Sequence, residues 1–497
     1  MDEGFEIGNS LQLPARGICT PCVPLNQTQY SMEKRKTIMN NPYAHFTWIL
    51  IFLTAWPGYS QIQSTIVGEK AVVEHYEFVG NNREESMWSA LYGAKNGKIY
   101  IGVCTHAEAA HFYEFDPETE TMRHIVDLTK LHDERGKAIN TNGKIHVRMG
   151  EDEHGNIYFA GLNEDTGPEA IDPSSYTGAF WYRYNPTLDK VEVLDMISPH
   201  FGLLGMVYEP NYNRLYGLAE DGHLYMYDID DDQTSDLGKV DDWDICRTIF
   251  ADEEGNVYGS FPVGQIWKYD PKKDRVTDFP NIRLQYDMRV PPRTMSKPMI
   301  DRKVIWRVIE WDPLEKVAYG IMGADNMLFR YDVSQGKEGQ IDYIIPLTAP
   351  QYWDGADILT VPFATLALAI DSRQRTIYYA PTANSSFDYI GNSWDVHDEE
   401  AFQSQIAGGH YPPVSYLISY DLENNHRKSL GQIVTKEGNL VYGLGGACYG
   451  AKDGKIYFVG SIEEKDENKV VGEVQRRWPF SMGLVAFDPN ENATSNP

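Results

Sequence analysis

Seven recurrences of one short pattern, a polar turn followed by an aliphatic–Tyr pair, predict an all-β chain. Each pair is followed by an aromatic–Asp or aromatic–Asn step, and no amphipathic helical stretch of useful length separates the copies. Together these observations predict a seven-bladed β-propeller of four-stranded antiparallel blades, in which two hairpins make each blade.

The pairs are Ile99-Tyr100, Ile157-Tyr158, Leu215-Tyr216, Val257-Tyr258, Ala318-Tyr319, Ile377-Tyr378 and Ile456-Tyr457. The turns ahead of them place Gly97, Gly155, Gly255 and Gly454 where a hairpin needs a positive φ. The downstream steps are Phe115-Asp116, Tyr184-Asn185, Tyr227-Asp228, Tyr269-Asp270, Tyr331-Asp332, Tyr420-Asp421 and Phe487-Asp488, each leading into a polar turn that predicts the second hairpin. Successive marker tyrosines lie 58, 58, 42, 61, 59 and 79 residues apart, the spacing of blades with loop insertions. The seventh copy ends short of its outermost strand. The extended segment from Ala71 to Phe78, ahead of the first copy, is expected to supply it and so cover an exposed sheet edge.

Residues 1–60 are set apart from residues 61–497, the propeller domain. A basic stretch from Met32 to Lys36 precedes an apolar run from Phe46 to Trp56, and Pro57 and Gly58 follow. This is the layout of a secretory signal peptide, too short to span a bilayer, with an upstream segment before Met32. It predicts a secreted or periplasmic protein that keeps no stable membrane span after cleavage. Of the cysteines, Cys19 and Cys22 fall in that segment. Cys104, Cys246 and Cys448 remain, an odd number too scattered for a disulfide framework or a zinc pattern.

Charge narrows the partners. Asp and Glu number 72 against 44 Lys and Arg, a formal net charge of -28, which excludes nucleic acid as the general partner because a polyanion is repelled. An anionic ligand must therefore find a local basic island. Counting back twelve residues from each marker tyrosine gives the channel-lining positions Trp88, His146, Leu204, Cys246, Arg307, Leu366 and Gly445. His146 and Arg307 are the polar exceptions, with Arg247 one residue out of step. A cation in an apolar throat is either paired with a carboxylate from a neighbouring blade, such as Asp244 or Glu310, or used.

The loops at this end of the strands add to the set. Residues 283–307 form a basic island that includes Arg293, the crossing into blade six carries Tyr352 and Trp353, and an insertion over 381–415 carries His410 and Tyr411. Rings stack on sugar faces while arginine pairs with carboxylate or sulfate, so these residues, with His200, are the substrate-binding candidates. No cofactor is called for, because the sequence has no H-E-x-x-H, P-loop or nucleophile elbow. The string Asp228, Asp230, Asp232 and the pair His106 and His111 leave room for a structural calcium or zinc ion.

The tyrosine-rich blades of the G-K-I-Y type, the inner-strand histidine in Lys144-Ile-His-Val-Arg148 and the arginines at the loop end resemble the secreted seven-bladed β-propeller polysaccharide lyases that act on ulvan and related rhamnose–uronate polymers. The likeness spans about residues 70–490 and lies in the repeat pattern. It implies β-elimination at a uronic acid in an anionic polysaccharide. His146 would transfer protons, Arg247 and Arg307 would neutralise the carboxylate, and a tyrosine such as Tyr442 would be the partner. A second active-site histidine of that family has no counterpart between Asn163 and Thr177. The alternatives are a non-catalytic propeller binding glycan or protein, and a glycoside hydrolase, which would need two carboxylates where the channel offers cations. A monomer is expected.

Overall fold

The computed structural model describes residues 62–80, 84, 86–105, 109–134, 139–165, 176–240, 248–261, 264–285, 304–354, 361–383, 414–463, 470–471, 474–475 and 480–493. Strands dominate them. Helix is limited among the described residues to Leu128–Leu131, Pro489–Ala493 and a 3-10 turn at Pro350–Tyr352, and none of these is long and apolar enough to cross a membrane.

Five antiparallel sheets follow one another along the chain in a propeller-like arrangement. The first runs Leu91–Gly93, Ile99–Thr105, Ala109–Asp116, Thr121–Asp127. The second runs Ile139–Ile145 (continued by Gly150–Glu151), Ile157–Asp165, Ala179–Asn185, Lys190–Ser198. The third, fourth and fifth begin at the inner strands Leu203–Glu209, Phe250–Ala251 and Trp306–Asp312, and each adds three strands in sequence order. Two faces result. The turns between first and second strands lie at one, the hairpin face. The connections between second and third strands and between sheets lie at the other, the loop face.

The remaining repeats depart from the expected pattern of separate blades. Their strands belong to a single eleven-stranded sheet. Two strands tie them together: Val441–Tyr442, which pairs with Val414 on one side and Ser461 and Ile462 on the other, and Lys70–Glu77, which serves two edges at once. Lys70 to Val73 pair in parallel with Gln432 to Thr435, and Glu74 to Glu77 pair antiparallel with Gly483 to Ala486. The segment expected to complete the last repeat therefore does pair with its outer strand, and it also ties that repeat to the one before. A further strand, Gln63–Ile66, lies parallel on His426 to Ser429.

The repeated residues have local reasons. Asp152 Oδ1 accepts the backbone amides of His154 and Asn156, both at 2.9 Å, and its Oδ2 accepts the Tyr158 hydroxyl at 3.1 Å. Asp252 and Tyr258 repeat this two sheets on, and Asp453 with Tyr457 again. In these three repeats the marker tyrosine clamps the turn that precedes it. Gly97, Gly155, Gly255 and Gly454 all have the positive φ expected of them. At the second hairpin the aromatic–Asp step works similarly. Asp270 Oδ1 accepts the amides of Lys272 and Lys273, while the Tyr269 hydroxyl reaches Asp274, a left-handed residue at φ 47°.

The sheets pack face to face through large aromatic side chains. Phe112, Phe159, Trp181 and Tyr182 join the first three sheets, and Trp267, Trp306 and Phe329 join the fourth and fifth. Trp267 lies so close over Gly259 that a Cβ there would meet its ring at 2.1 Å, so the glycine is required by packing. Truncating any of these rings to alanine costs about 3–5 kcal/mol.

Candidate functional site at the loop face

The inner strand of the second sheet breaks its ladder between Ile145 and Gly150, and this break turns His146 and Arg148 toward the central channel. His146 is 1% exposed. Its Nδ1 lies 2.7 Å from the Leu204 carbonyl, and because a carbonyl only accepts, Nδ1 carries the proton and Nε2 is the basic nitrogen. The ring stacks on Trp88 at 5.3 Å, and the Lys144 ammonium stands 4.6 Å from the centre of the Trp88 ring. Ser89 holds the His146 carbonyl through its amide and its hydroxyl.

Trp88 links this group to the other side of the channel, packing against the cluster that contains Val308, Ala364 and Leu366. Arg307 is half-buried beside that cluster. It donates from Nε to the Ala364 carbonyl at 3.1 Å, and its guanidinium lies 5.2 Å from the Phe363 ring centre. Trp88 thus carries Lys144 and His146 on one side and packs on the other against the cluster whose Ala364 carbonyl Arg307 holds. Arg247, Arg293, His410 and Tyr411 lie outside the described residues, as do Asp244, Cys246 and His106.

Other candidates sit differently from their expected places. Tyr442 was expected at the rim but is 5% exposed, held in the short strand Val441–Tyr442 between Val414 and Ser461. Tyr352 ends a 3-10 turn, and Trp353 just after it is engaged by the protein itself. Its Nε1 donates to the Thr348 carbonyl at 2.8 Å, and the guanidinium of Arg427 lies 3.9 Å from its ring centre. Burial lowers the Arg427 guanidinium to about 10, with the Asp354 carboxylate opposing, and the Pro346 carbonyl and Ser64 hydroxyl complete its bonding. A tryptophan covered by an arginine of its own chain is not a bare sugar platform. His200 meets the Tyr176 ring edge-on at 5.2 Å, its Nδ1 buried without a hydrogen-bond partner.

Two groups escaped the sequence reading. Arg148 crosses the channel to pair with Glu310 of the fifth sheet, and it also reaches the carbonyls of Ile309 and Leu368 at 3.4 Å each. The available signal was the spacing: Arg148 lies two residues beyond His146, the interval that puts two side chains on one side of an extended segment. The second group is buried in the first sheet. His111 Nδ1 lies 2.7 Å from Glu84 and its Nε2 3.7 Å from Asp127, while the Tyr113 hydroxyl donates to Glu84 at 2.6 Å. Burial works against the charged imidazole, but the two carboxylates outweigh it and lift His111 to about 9.

The metal candidates are otherwise employed. Asp228 pairs with Arg214, Asp230 accepts the Asn213 side chain and Asp232 accepts the Tyr227 hydroxyl. His111 has both ring nitrogens facing carboxylates. Among the described residues no group of histidine, cysteine or acidic side chains is arranged to hold a metal ion.

No protein-family model matches the sequence, and no curated protein matches it. Solved structures do align. A chain of the mitotic checkpoint complex gives a TM-score of 0.46 at 7% identity, over 85% of this chain and 95% of its own. Virginiamycin B lyase from Staphylococcus aureus gives 0.44 at 8%, over 84% and 99%. The β-propeller domain of Cps50 (Swd1) from Myceliophteria thermophila gives 0.43 at 10%, over 76% and 96%. Likenesses this weak carry nothing about activity. The class, a propeller-like all-β protein, rests on the strand pairing.

Proposed function

We propose that the chain is a secreted polysaccharide lyase that holds a uronic-acid-containing polymer, ulvan or a related rhamnose–uronate, at the loop face of a seven-bladed propeller and cleaves it by β-elimination. The blade count is supported by the contacts of the inner strands. Leu203–Glu209, Phe250–Ala251, Trp306–Asp312, Leu368–Asp371, Ala447–Tyr449 and Leu91–Gly93 touch in that order, and Ile139–Ile145 bridges the first and second sheets. In this reading the eleven-stranded sheet is blades six and seven welded by Val441–Tyr442 and Lys70–Glu77.

The observation that carries the reading is that Trp88, flanked by Lys144 and His146, packs against the cluster that Arg307 bonds through the Ala364 carbonyl. In the elimination Arg307 and Lys144 neutralise the substrate carboxylate, which acidifies the proton on C5. His146 Nε2 takes that proton, the C5–H electron pair becomes the C4–C5 double bond, and the C4–O4 bond breaks. The same imidazole returns the proton to the leaving O4 when both groups depart from one face. One observation favours a second reading, a non-catalytic glycan-binding propeller: His146 is 1% exposed and covered by Trp88.

The test is absorbance in the ultraviolet band of unsaturated uronates while protein beginning at Gln61 meets ulvan and other uronate polymers. The expected result is a rise that His146→Ala abolishes and Arg307→Ala reduces at least a hundredfold. A flat trace with retained binding to the polymers overturns the lyase in favour of the binding module.

A further inference from the structure

The inner strands have a second end. At the hairpin face Tyr92, Tyr208, Phe250 and Trp311, from four different sheets, converge around a cavity of about 550 Å³, a volume suited to a small ligand. Three of these rings, Tyr92, Tyr208 and Trp311, are only half-buried. Methionine and isoleucine side chains fill in the wall, and the Arg148–Glu310 ion pair lies in the cavity lining. Arg148, the cation among the lining residues, is fully engaged by that carboxylate and two carbonyls.

The lining carboxylates are compensated differently. Glu151, 6% exposed, accepts the Lys95 backbone amide at 2.9 Å and the Tyr92 hydroxyl at 3.3 Å. Asp252, 8% exposed, accepts two backbone amides, the Asn256 side-chain amide and the Tyr258 hydroxyl. All of these donors are neutral. They satisfy the hydrogen-bonding capacity of the carboxylates and leave their negative charge uncancelled in a poorly solvated place. A ligand anion would be repelled by these groups and by the chain's net charge of -28. A small hydrated metal ion would lose its water against apolar walls that offer no ligand cluster. The complement is a cation with its own apolar shell, which aromatic faces attract through their quadrupoles.

We propose that the hairpin-face cavity binds an organic ammonium ion, with Trp311, Tyr208 and Tyr92 around it and Glu151 and Asp252 supplying the field. The site is separate from the glycan site at the loop face and does not depend on it.

Calorimetric titration of choline into the protein from Gln61 tests this, with 3,3-dimethylbutan-1-ol, the uncharged molecule of the same shape, as comparison. Choline is expected to bind saturably and at least tenfold more tightly than the alcohol. Glu151→Gln and Trp311→Leu are each expected to weaken it fivefold or more, and Arg307→Ala to leave it unchanged. Tyr208→Leu, at the mouth, takes the place of Trp311→Leu if that variant does not give the wild-type circular dichroism spectrum and melting transition. Absence of saturable heat, equal affinity for the alcohol, or indifference to the cavity substitutions overturns the proposal. Loss of binding in Arg307→Ala also overturns it, since that would put choline at the loop face.

Discussion

At the hairpin face Asp252 takes four hydrogen bonds from within seven residues of sequence, and at the loop face His146 is gripped by a carbonyl 58 residues away. The first kind of bonding is local, repeated and anionic. The second is assembled across sheets, with Lys144 and Arg307 as its cations. A repeat can copy the first arrangement into each unit because every unit carries all of its partners. The second exists once, because Lys144 and His146 come from one repeat and Trp88 and Arg307 from two others. The hairpin face is where the chain spends its pattern, and the loop face is where the units differ.

Four measurements sharpen this contrast. The largest effect is expected from Asp252→Ala, which strands four donors around a buried side chain, among them those of the buried Asn256 and Tyr258, at a cost of about 3 kcal/mol in urea unfolding. A change below about 1 kcal/mol would mean the clamp is decorative. The His111 cluster, held by Glu84, Asp127 and Tyr113 with His124 alongside, gives the next effect. Its folded pKa is raised from 6.5 to about 9, so the stability it lends is complete below pH 6.5 and fades as pH climbs to 9, by at most about 3 kcal/mol. Melting temperature followed from pH 6 to pH 9.5 should fall over that window, and His111→Gln should flatten the fall. Asp127 has the opposite sign: its carboxyl is depressed, with burial opposing and His111 and Thr129 prevailing, so its contribution disappears as acid is added.

Tyr258→Phe removes one of the four donors to Asp252 and leaves the carboxylate satisfied by the rest, so about 1 kcal/mol is expected from the same urea titration. A loss equal to that of Asp252→Ala would show that the tyrosine, not the amides, holds the turn. The smallest effect belongs to Lys316→Ala, which breaks an exposed pair with Glu253 and should cost less than about 0.5 kcal/mol.

What could be read from the residues divides along the same line. The marker tyrosines, the hairpin glycines and the aromatic–Asp steps were legible because each reports a bond spanning a few residues, as in Asp152 with Tyr158. The pairing of the Ala71 to Phe78 region with the last strand was legible as well, from a missing strand in the count. Its second pairing, to Gln432 through Thr435, was not, since no local pattern marks which edge a strand will also touch. The positions of His146 and Arg307 along the inner strands were legible because those strands keep a fixed offset from the marker tyrosine. Trp353 was misjudged because Arg427, which covers it, is 74 residues further along and belongs to an outer strand. Arg148 and Glu310 were each visible as charges, and only the closed arrangement brings them together.

The strand Lys70–Glu77 has a consequence for how the protein is made. It emerges from the ribosome some four hundred residues before Gly483 to Ala486, with which half of it pairs. Throughout translation the early repeats wait with one edge unmet, open to holdases and to misjoining with other nascent copies. Completion is reserved for the final moments of synthesis, and a circular permutant that begins at the second repeat and lets Lys70–Glu77 follow Phe480–Phe487 directly should mature faster than the natural order does.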